Sequence, residues 1–555
     1  MKEQIAQILS KHLPMTEEEV LALIEIPKDS KLGDFAFPCF SLAKSLKKNP
    51  VDIAKETVSK IRNVSQFEQI NALGPYINFF VNRNMVAQST LSEILKKKDK
   101  YGSSIEGKGK KIVIDLSAPN IAKPFGIGHL RSTIIGNSIS NIASFLGYKT
   151  IKINYLGDWG TQFGKLIVGY KKWGNAKKLK SDPINHLLEL YVKVNADETL
   201  EDAAREEFRK LEQGDKKNLA LWKQFRELSL KDFNEIYELL GVKFDVISGE
   251  SLYNKKLDAV VKMLEHKKLL KESDGAKVVD LSEYNLGVCL IQKSDGTTLY
   301  ATRDIAAALD RKNKYNFDSA VYEVGLEQSL HFKQIFKVLE LLGNDWARSC
   351  THVGHGLYLD QDGKKFSTRK GKNVFMADIL KETIDLAKKE IQSREKLSSK
   401  ELERRARIIA LSAIIYGDLR NYRENSIVFD IDRFLQFEGN TGPYILYTYA
   451  RCQSIIKKSN FKKLSKITVI TEKEKALVSH LYNFHETVKQ AYLTNSPNLI
   501  ANYAYELSQK FNEFYHDHPV IGSNEENFRL ALVSSCAQVL KNSLSLLGIP
   551  VLQRM

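Results

Sequence analysis

The stretch KIVIDLSAPNIAKPFGIGHLRSTIIGNSISNIASFLGYKTIKIN, residues 111–154, decides the fold. Its opening residues, 111–116, form an apolar run typical of a strand buried on both faces of a parallel sheet. A helix is expected next, because apolar residues recur at helical spacing over 135–146 and Gly147 is a typical helix stop. Residues 149–154 form a second strand. This strand–helix–strand order predicts a Rossmann-like, doubly wound parallel sheet.

The sequence on either side predicts two further domains. Residues 1–107 combine helical spacing with a strand at 76–81, so a small α+β domain is expected there. The doubly wound domain is assigned to 108–385, with a charged helical insertion at about 170–240. Residues 386–555 contain successive amphipathic helices, which predict a linker and an all-α bundle.

The bulk properties narrow the class of protein. The net charge is +16, from 83 Lys and Arg against 67 Asp and Glu, which favours a polyanionic partner over the simpler alternative of a solvated lysine-rich surface. The five cysteines are scattered without a Cys-x-x-Cys pair, so neither a disulfide framework nor a metal site is expected, and a reducing cytoplasmic compartment fits best. No apolar run is long enough for a membrane helix, and the first residues lack signal-peptide features.

The segment that follows the first strand has the composition of a phosphate site. Gly126 and Gly128 permit close backbone approach where a helix begins, and free N–H groups at a helix start attract anions. Lys123 adds a cation and His129 adds a hydrogen-bond donor. Taken alone, the pattern fits a glycine-rich turn with a capping histidine equally well.

A second segment, Lys364–Lys372, has five cations in nine residues, together with Ser and Thr hydroxyls. Lysine and arginine are suited to stabilising the charge that develops on a transferring phosphate. By itself a solvated basic turn is the favoured interpretation of this run.

Together the two segments resemble the paired signatures of class I aminoacyl-tRNA synthetases, and further stretches look like the arginyl-tRNA synthetase family. The resemblance covers essentially the whole chain in collinear order, through SAPNIAK (117–123), GDWGTQFG (157–164), LYATRD (299–304), FEGNTGPY (437–444), YTYAR (447–451) and LGIPVLQRM (547–555). The chain departs from the family pattern twice. Gly126 stands at the first signature histidine, and Thr368 stands at the second lysine of the loop signature.

The resemblance implies a set of ATP-binding residues, in which Lys123 compensates for the missing loop lysine: Lys123, Gly126, Gly128, His129, Lys365, Ser367 and Arg369. It assigns Tyr300 and Asp304 to the guanidinium of arginine. These two are four residues apart and share a helical face. It assigns Asp115, Asn120 and Gln328 to the α-amino and carboxyl groups, or to support of that pocket. The tRNA-binding candidates are Tyr444, Tyr447, Tyr449 and Met555.

The resemblance also implies a reaction. ATP with Mg²⁺ activates L-arginine to arginyl-adenylate, with tRNA bound first, and the arginyl group passes to the 3′ end of tRNA(Arg). The domain 1–107 is expected to contact the tRNA elbow, the bundle is expected to bind the anticodon, and the protein is expected to be a cytoplasmic monomer. Two alternatives stay open: a nucleotidyltransferase of the same fold that makes a small-molecule adenylate, and a catalytically inactive paralogue that only binds tRNA.

Overall fold

The computed structural model describes residues 1–27, 29–62, 64–294, 300–364, 375–461, 463–467 and 470–555. The chain divides into two compact units. One consists of Met1–Lys98, Ile455–Asn483 and Lys510–Gln538, and the other consists of Asp99–Ser454, Phe484–Gln509 and Val539–Met555. The three-domain division at 107 and 385 stays a prediction.

The described residues form thirteen strands in four sheets. Their bounds are β1 (Phe35–Pro38), β2 (Phe67–Leu73), β3 (Tyr76–Val81), β4 (Lys111–Asp115), β5 (Lys149–Leu156), β6 (Val246–Gly249), β7 (Leu270–Ser273), β8 (Ala276–Asp280), β9 (Val288–Gln292), β10 (Ser319–Gly325), β11 (Cys350–His355), β12 (Tyr358–Leu359) and β13 (Ile427–Val428). The central sheet has the order β11-β10-β4-β5-β6, and each of its pairs is parallel. The orders β1-β3-β2 and β7-β8-β9 are antiparallel, and β12 pairs with β13 in parallel.

Helices make up most of the remaining structure. The α-helices within the described ranges are α1 (Lys2–Ser10), α2 (Glu17–Leu23), α3 (Ala43–Leu46), α4 (Pro50–Lys60), α5 (Arg83–Lys97), α6 (Ile127–Phe145), α7 (Thr161–Trp173), α8 (Ala176–Ser181), α9 (Pro183–Asn195), α10 (Glu201–Glu212), α11 (Lys216–Leu240), α12 (Leu257–His266), α13 (Tyr300–Tyr315), α14 (Ser329–Leu341), α15 (Met376–Arg394), α16 (Ser399–Leu419), α17 (Ile431–Phe434), α18 (Gly442–Lys457), α19 (Glu472–Tyr482), α20 (Phe484–Leu493), α21 (Asn498–Asp517) and α22 (Glu526–Leu546). Short 3-10 helices lie at Ser30–Leu32, Phe40–Leu42, Lys98–Lys100, Glu198–Leu200, Glu250–Lys256, Ser282–Tyr284, Leu326–Gln328 and Asp345–Ser349.

The β4–α6–β5 unit confirms the strand–helix–strand order expected from residues 111–154. Helix α6 lies against β4 so closely that a Cβ at Gly136 would come within 2.5 Å of Leu116. Gly147 follows the helix with φ +89°, the left-handed conformation expected of its stop. The doubly wound fold class, with an α+β N-terminal part and a helical C-terminal part, is therefore confirmed.

The order of the central sheet creates one special edge. Strand β4 has β5 on one side and β10 on the other, so the connections run in opposite directions from it. Ligands of doubly wound sheets bind at the carboxyl ends of the strands at such a reversal. Asp115 ends β4 opposite Tyr322 of β10, and β10 and β11 continue to Gly325 and His355, which are paired at the same carboxyl edge.

The other unit contains its own core. Side chains of α1, of the β1-β3-β2 sheet and of α4 bury one apolar cluster, which includes Ile5, Leu9, Phe37, Ile77 and Phe79. Among helices in the described ranges, none is both long and apolar enough to cross a bilayer.

Candidate active site

The segment between β4 and α6 has an unusual backbone. Ser117, Ala118 and Ala122 have φ values of +74°, +48° and +59°, a left-handed conformation that side chains other than glycine avoid. Such a conformation persists only where the surroundings impose it, and it is commonest at functional sites. Three such residues within six positions mark this loop as the structural centre of the site.

Hydroxyl groups impose that conformation. Ser132 Oγ accepts the Ser117 N–H at 2.9 Å, and Ser229 Oγ accepts the Ala122 N–H at 2.8 Å. The Tyr237 hydroxyl lies 2.7 Å from Ser117 Oγ. Ser229 and Tyr237 belong to α11, in the stretch expected to be an insertion, so this long helix supports the loop directly.

The start of α6 presents donors to a ligand. Gly126 occupies the cap position and has no side chain that could accept the first N–H groups of the helix. A Cβ placed at Gly128 would meet nothing within 4 Å, so the space beside it is open. The Gly126 N–H donates to His129 Nδ1 at 3.2 Å, which places the proton of the neutral ring on Nε2. Burial, together with the nearby charges of His355 and Lys123, lowers the pKa of His129 to about 4, so His129 is a neutral donor.

Lys123 lies beside this helix start. Its Nζ is 5.2 Å above the ring of Tyr191, a residue of α9. The expected ATP-binding residues Lys365, Ser367 and Arg369 lie outside the described residues. Phe375, the first described residue after them, forms a β-bridge with Gly126, and the Met376 N–H donates to the Phe125 carbonyl at 3.0 Å. The chain that follows the second signature therefore contacts the first.

The residues expected to bind arginine lie around the same edge. Asp304 Oδ2 is 2.6 Å from His331 Nε2, and both side chains are partly exposed. Tyr300 is 60% exposed at the start of α13, and Gln328 is exposed just after β10. Asn120 is exposed and bridges to Gly157, where an added Cβ would lie 2.1 Å from Asn120 Oδ1. Glycine at 157 is therefore what leaves room for the Asn120 side chain.

Asp115 has a different environment from the other expected ligands. Its buried carboxylate is 2.7 Å from Arg311 Nη2, and the guanidinium of Arg311 lies 5.0 Å from the ring centre of Tyr155 and 5.4 Å from that of Tyr322. Burial raises the pKa of Asp115, and Arg311 opposes that rise. This geometry fits support of the pocket, one of the two roles that the resemblance left open for Asp115.

The structure adds two residues that the sequence analysis missed. Glu250 follows β6, and burial raises its pKa to about 7, with Arg303 opposing and Asp304 adding to the rise. The Tyr155 hydroxyl on β5 is buried, and no hydrogen-bond partner for it is found within the described ranges. The charge of Asp304 contributes to raising the pKa of both Glu250 and Tyr155. The sequence could have indicated both residues, because each is a polar group near the carboxyl end of a strand in the parallel sheet.

A buried aspartate fixes the position of Glu250. Asp158 accepts the Ser251 N–H at 2.8 Å and is paired with Arg226 at 3.1 Å. A Cβ at Gly249 would lie 2.4 Å from this carboxylate, so only glycine allows Asp158 to come so close to the chain. The turn at 249–251 is therefore clamped beside the site.

The three tyrosines expected to stack on bases differ in exposure. Tyr447 is 38% exposed on α18, Tyr444 is half-buried with its ring 5.7 Å from that of Tyr505, and Tyr449 is 4% exposed. The Arg451 guanidinium lies 4.8 Å from the Tyr447 ring. Tyr447 is thus the exposed ring of the three. Met555 is half-buried at the end of the chain.

A doubly wound sheet whose first helix begins at a glycine-rich His-containing turn is the arrangement of class I aminoacyl-tRNA synthetases. A family model described as tRNA synthetases class I (R), catalytic domain, matches residues 90–431. Models described as the arginyl tRNA synthetase N terminal domain and the DALR anticodon binding domain match residues 1–81 and 445–555.

Relatives that match over the full length of the chain show which family it belongs to. The arginine–tRNA ligase of Clostridium perfringens is 46% identical over 566 residues, which cover 100% of both chains. That of Halothermothrix orenii is 45% identical over 565 residues, covering 100% of this chain and 99% of the relative. The chain therefore belongs to the arginyl-tRNA synthetase family.

Solved structures agree in fold. The Plasmodium falciparum arginyl-tRNA synthetase superposes with a TM-score of 0.80 at 26% identity, covering 100% of this chain and 98% of that one. The Thermus thermophilus arginyl-tRNA synthetase gives a TM-score of 0.82 at 23% identity, covering 100% and 99%.

Proposed function

We propose that this enzyme is an arginine–tRNA ligase, which uses ATP to activate L-arginine and joins it to the 3′ end of tRNA(Arg). The observation that carries the proposal is the meeting of two kinds of group at one sheet edge. A helix start with a glycine cap and open space beside Gly128 lies next to a pocket of carboxylates, in a chain whose relatives carry that name over their whole length.

The carboxylates account for the choice of amino acid. A guanidinium is planar and permanently charged, and it is best bound by acceptors held in fixed positions. Asp304 and Glu250 supply two carboxylates, and Tyr155 and Tyr300 supply hydroxyls around them. Lysine would leave some of these acceptors unpaired, and that loss rejects it. Asn120 and Gln328 are assigned to the α-amino and carboxyl groups of the amino acid, with Asp115 supporting the pocket.

The chemistry proceeds in two transfers. A carboxylate oxygen of arginine attacks the α-phosphorus of ATP, the bond to the bridging oxygen of the β-phosphate breaks, and pyrophosphate leaves. A ribose hydroxyl of the terminal tRNA nucleotide then attacks the activated carbonyl, and AMP leaves. The enzyme contributes positioning and charge stabilisation. His129 donates Nε2–H to a phosphate oxygen, Gly126 and Gly128 admit the phosphates to the helix start, and Lys123 leaves Tyr191 to contact them.

Further parts of the proposal rest on the family. Lys365, Ser367 and Arg369 complete the phosphate-binding set, and Mg²⁺ enters on ATP. Residues 1–107 contact the tRNA elbow, the helical C-terminal part binds the anticodon with Tyr447 as its exposed stacking ring, and Tyr444, Tyr449 and Met555 contribute to that surface. The enzyme acts as a cytoplasmic monomer and needs bound tRNA for activation.

The experiment that tests the proposal compares three amino acids. Purified protein is given ATP, Mg²⁺ and total tRNA with labelled arginine, lysine or citrulline, which has the shape of arginine without its charge. We expect acid-stable incorporation with arginine alone. Pyrophosphate exchange in the presence and absence of tRNA checks the order of binding, and sedimentation velocity checks the monomer.

Two results would count against this function. Protein that binds tRNA and charges nothing would be the inactive paralogue, for which Gly126 and Thr368 are the sequence argument. Adenylate formation that needs no tRNA and passes to a small molecule would indicate a nucleotidyltransferase instead. Family membership and the arrangement of His129, Asp304 and Glu250 support the ligase over both.

A further inference from the structure

One buried ion pair at the sheet edge has no part in the roles assigned so far. Glu323, near the end of β10, is completely buried, and its Oε1 accepts a hydrogen bond from His355 Nδ1 at 2.8 Å. Its other oxygen, Oε2, is buried, and no partner for it is found in the part of the chain that the structure describes. A buried carboxylate is costly unless a cation pairs with it. His355 is the cation placed to do so.

His355 ends β11, beside Gly325 in the parallel register, at the carboxyl edge where ligands of this fold bind. Burial works against charging its ring, but Glu323 outweighs that effect and raises the pKa of His355. With Nδ1 engaged by Glu323, Nε2 is the donor that remains. No hydrogen bond from Nε2 to another described residue is found.

The pair of Glu323 and His355 lies against the helix that begins at the phosphate-binding turn, because Ser132 Oγ of α6 donates to the Glu323 carbonyl at 2.8 Å. After burial, the charge of His355 is the largest cause of the low pKa of His129, ahead of that of Lys123. Lys123 and His355 are thus the two groups whose charge acts on the neutral donor His129 at the start of α6.

A cation at this position can make up for a donor or a charge that the two signatures lack in this chain. The two departures from the family signatures, Gly126 and Thr368, each remove a donor or a cation from the phosphate-binding set. We propose that His355, held as a cation by Glu323, donates its Nε2–H to the polyphosphate of ATP and so replaces part of that lost charge. The proposal rests on the binding of ATP at the start of α6, as proposed above.

The test measures the KM for ATP in pyrophosphate exchange with arginine and tRNA saturating. His355→Asn keeps a donor near Glu323 and removes both Nε2 and the charge. We expect it to raise the KM for ATP about tenfold, the effect of losing one charge-assisted hydrogen bond, with the KM for arginine within about twofold. His355→Gln restores a donor near Nε2 without the charge, and we expect it to recover part of the loss.

The matched control is His352→Gln on the same strand. His352 stacks on Phe332 with ring centres 5.0 Å apart, and its Nε2 lies 3.2 Å from the Val324 carbonyl, so it is engaged on the opposite face of the sheet. We expect the control to leave the KM for ATP within about twofold of the wild type. If His355→Asn and His355→Gln lower the melting temperature but change the KM for ATP no more than the control does, His355 is structural and the proposal fails.

A pH series gives a second readout that a structural role would not move. The groups coupled electrostatically to His355 are Glu323 of β10, Arg131 and His129 of α6, Asp418 of α16 and, from the opposite face of the sheet, His352 of its own strand. Because the pKa of His355 is raised, its cation is present at low pH and is lost as the pH rises through that value. The KM for ATP should rise over that window in the wild type, at a lower pH in Glu323→Gln, and not at all in His355→Asn. A rise that is unchanged in both variants would overturn the assignment.

Lys123→Met separates this proposal from the one on which it rests. If Lys123→Met and His129→Ala both leave the KM for ATP unchanged, the nucleotide binds elsewhere and both proposals fail. If they raise it and His355→Asn does not, only the role of His355 is lost.

Discussion

In the proposed function, the two ends of the sheet edge bind their ligands by different means. At the proposed nucleotide end the backbone at the start of α6 supplies the contacts, and the loop of Ser117 to Ala122, with its left-handed residues, leads the chain to that start. At the arginine end side chains supply them, above all Asp304 and Glu250. The difference follows from the ligands. Polyphosphate oxygens are many and are met by rows of N–H groups, whereas one guanidinium needs a few acceptors in fixed positions.

The two ends are also supported differently. Hydroxyls of Ser229 and Tyr237 hold the strained loop, through neutral hydrogen bonds that each contribute about 1 kcal/mol. Buried ion pairs, Asp158 with Arg226 and Asp115 with Arg311, hold the carboxylate end. Breaking a buried pair by removing one partner costs roughly 3–5 kcal/mol. Substitutions at the arginine end should therefore lower activity more than substitutions at the nucleotide end.

The largest effect is expected for Asp304→Asn. This change keeps the shape of the side chain and removes the charge that faces the guanidinium. Loss of one partner from a charge pair that the bound substrate desolvates costs about 2–5 kcal/mol, so kcat/KM for arginine should fall roughly 30- to 4000-fold. Steady-state charging at varied arginine measures it. The KM for ATP should stay within about twofold, since the nucleotide end does not use this carboxylate.

Asp310→Asn is the matched control for that change. Asp310 lies on the same helix, α13, and pairs with Lys256 at the surface. An exposed pair is worth about 0–1 kcal/mol, so charging should hardly change. An equal loss in both variants would mean that damage to α13, and not loss of an arginine contact, explains the result for Asp304.

The next effect concerns pH. The pKa of Glu250 is raised to about 7, chiefly by burial, so below pH 7 the group is mostly protonated and must lose its proton to pair with a guanidinium. The KM for arginine should therefore rise as the pH falls through about 7, approaching tenfold per unit well below it. Glu250→Gln should flatten this dependence. A KM for arginine that is constant between pH 6 and 8 in the wild type would show that Glu250 does not pair with the substrate.

Much of the nucleotide end could be predicted from the sequence, because the residues that form it lie close together along the chain. The glycines, His129 and Lys123 lie within a few residues after a recognisable buried strand, and the helix they introduce follows from apolar spacing. The strand–helix–strand unit, the strand at 76–81 and the helical C-terminal part were expected from the same kind of pattern.

The arginine end could be predicted only in part, because its groups come from distant strands. Glu250 directly follows β6 and Tyr155 lies on β5, and only the pairing of those strands brings them toward Asp304 on α13. The support of the loop by α11 could not be predicted either, because Ser229 and Tyr237 lie in an ordinary amphipathic pattern. The carboxylate of Asp115 was expected to bind substrate or to support the pocket, and sequence spacing gives no sign of its partner Arg311.

A smaller effect is expected for Tyr237→Phe at the nucleotide end. The change removes the hydroxyl that lies 2.7 Å from Ser117 Oγ and accepts from Asn154 Nδ2 at 3.0 Å. At about 1 kcal/mol for the lost bonds, the rate of pyrophosphate exchange should fall roughly fivefold. Tyr237 also packs against Phe125 and Phe244, contacts that phenylalanine retains, so the melting temperature should fall little. An unchanged rate would mean that the loop keeps its shape without α11.

The smallest effect, and the one of opposite sign, is expected for Ala118→Gly. Ala118 is only partly buried, and its φ of +48° costs a residue with a Cβ about 1–2 kcal/mol, a cost that glycine avoids. Glycine loses roughly 0.5–1 kcal/mol more backbone entropy on folding, so a net gain of about 0.5–1 kcal/mol should remain, or ~1–2 °C in melting temperature. Ala203→Gly, on the exposed face of α10, should lower stability instead, because its backbone is right-handed. If both glycine substitutions lower the stability, the loop of the nucleotide end stores no strain. The two ends of the sheet edge then differ only in the protein groups that contact their ligands.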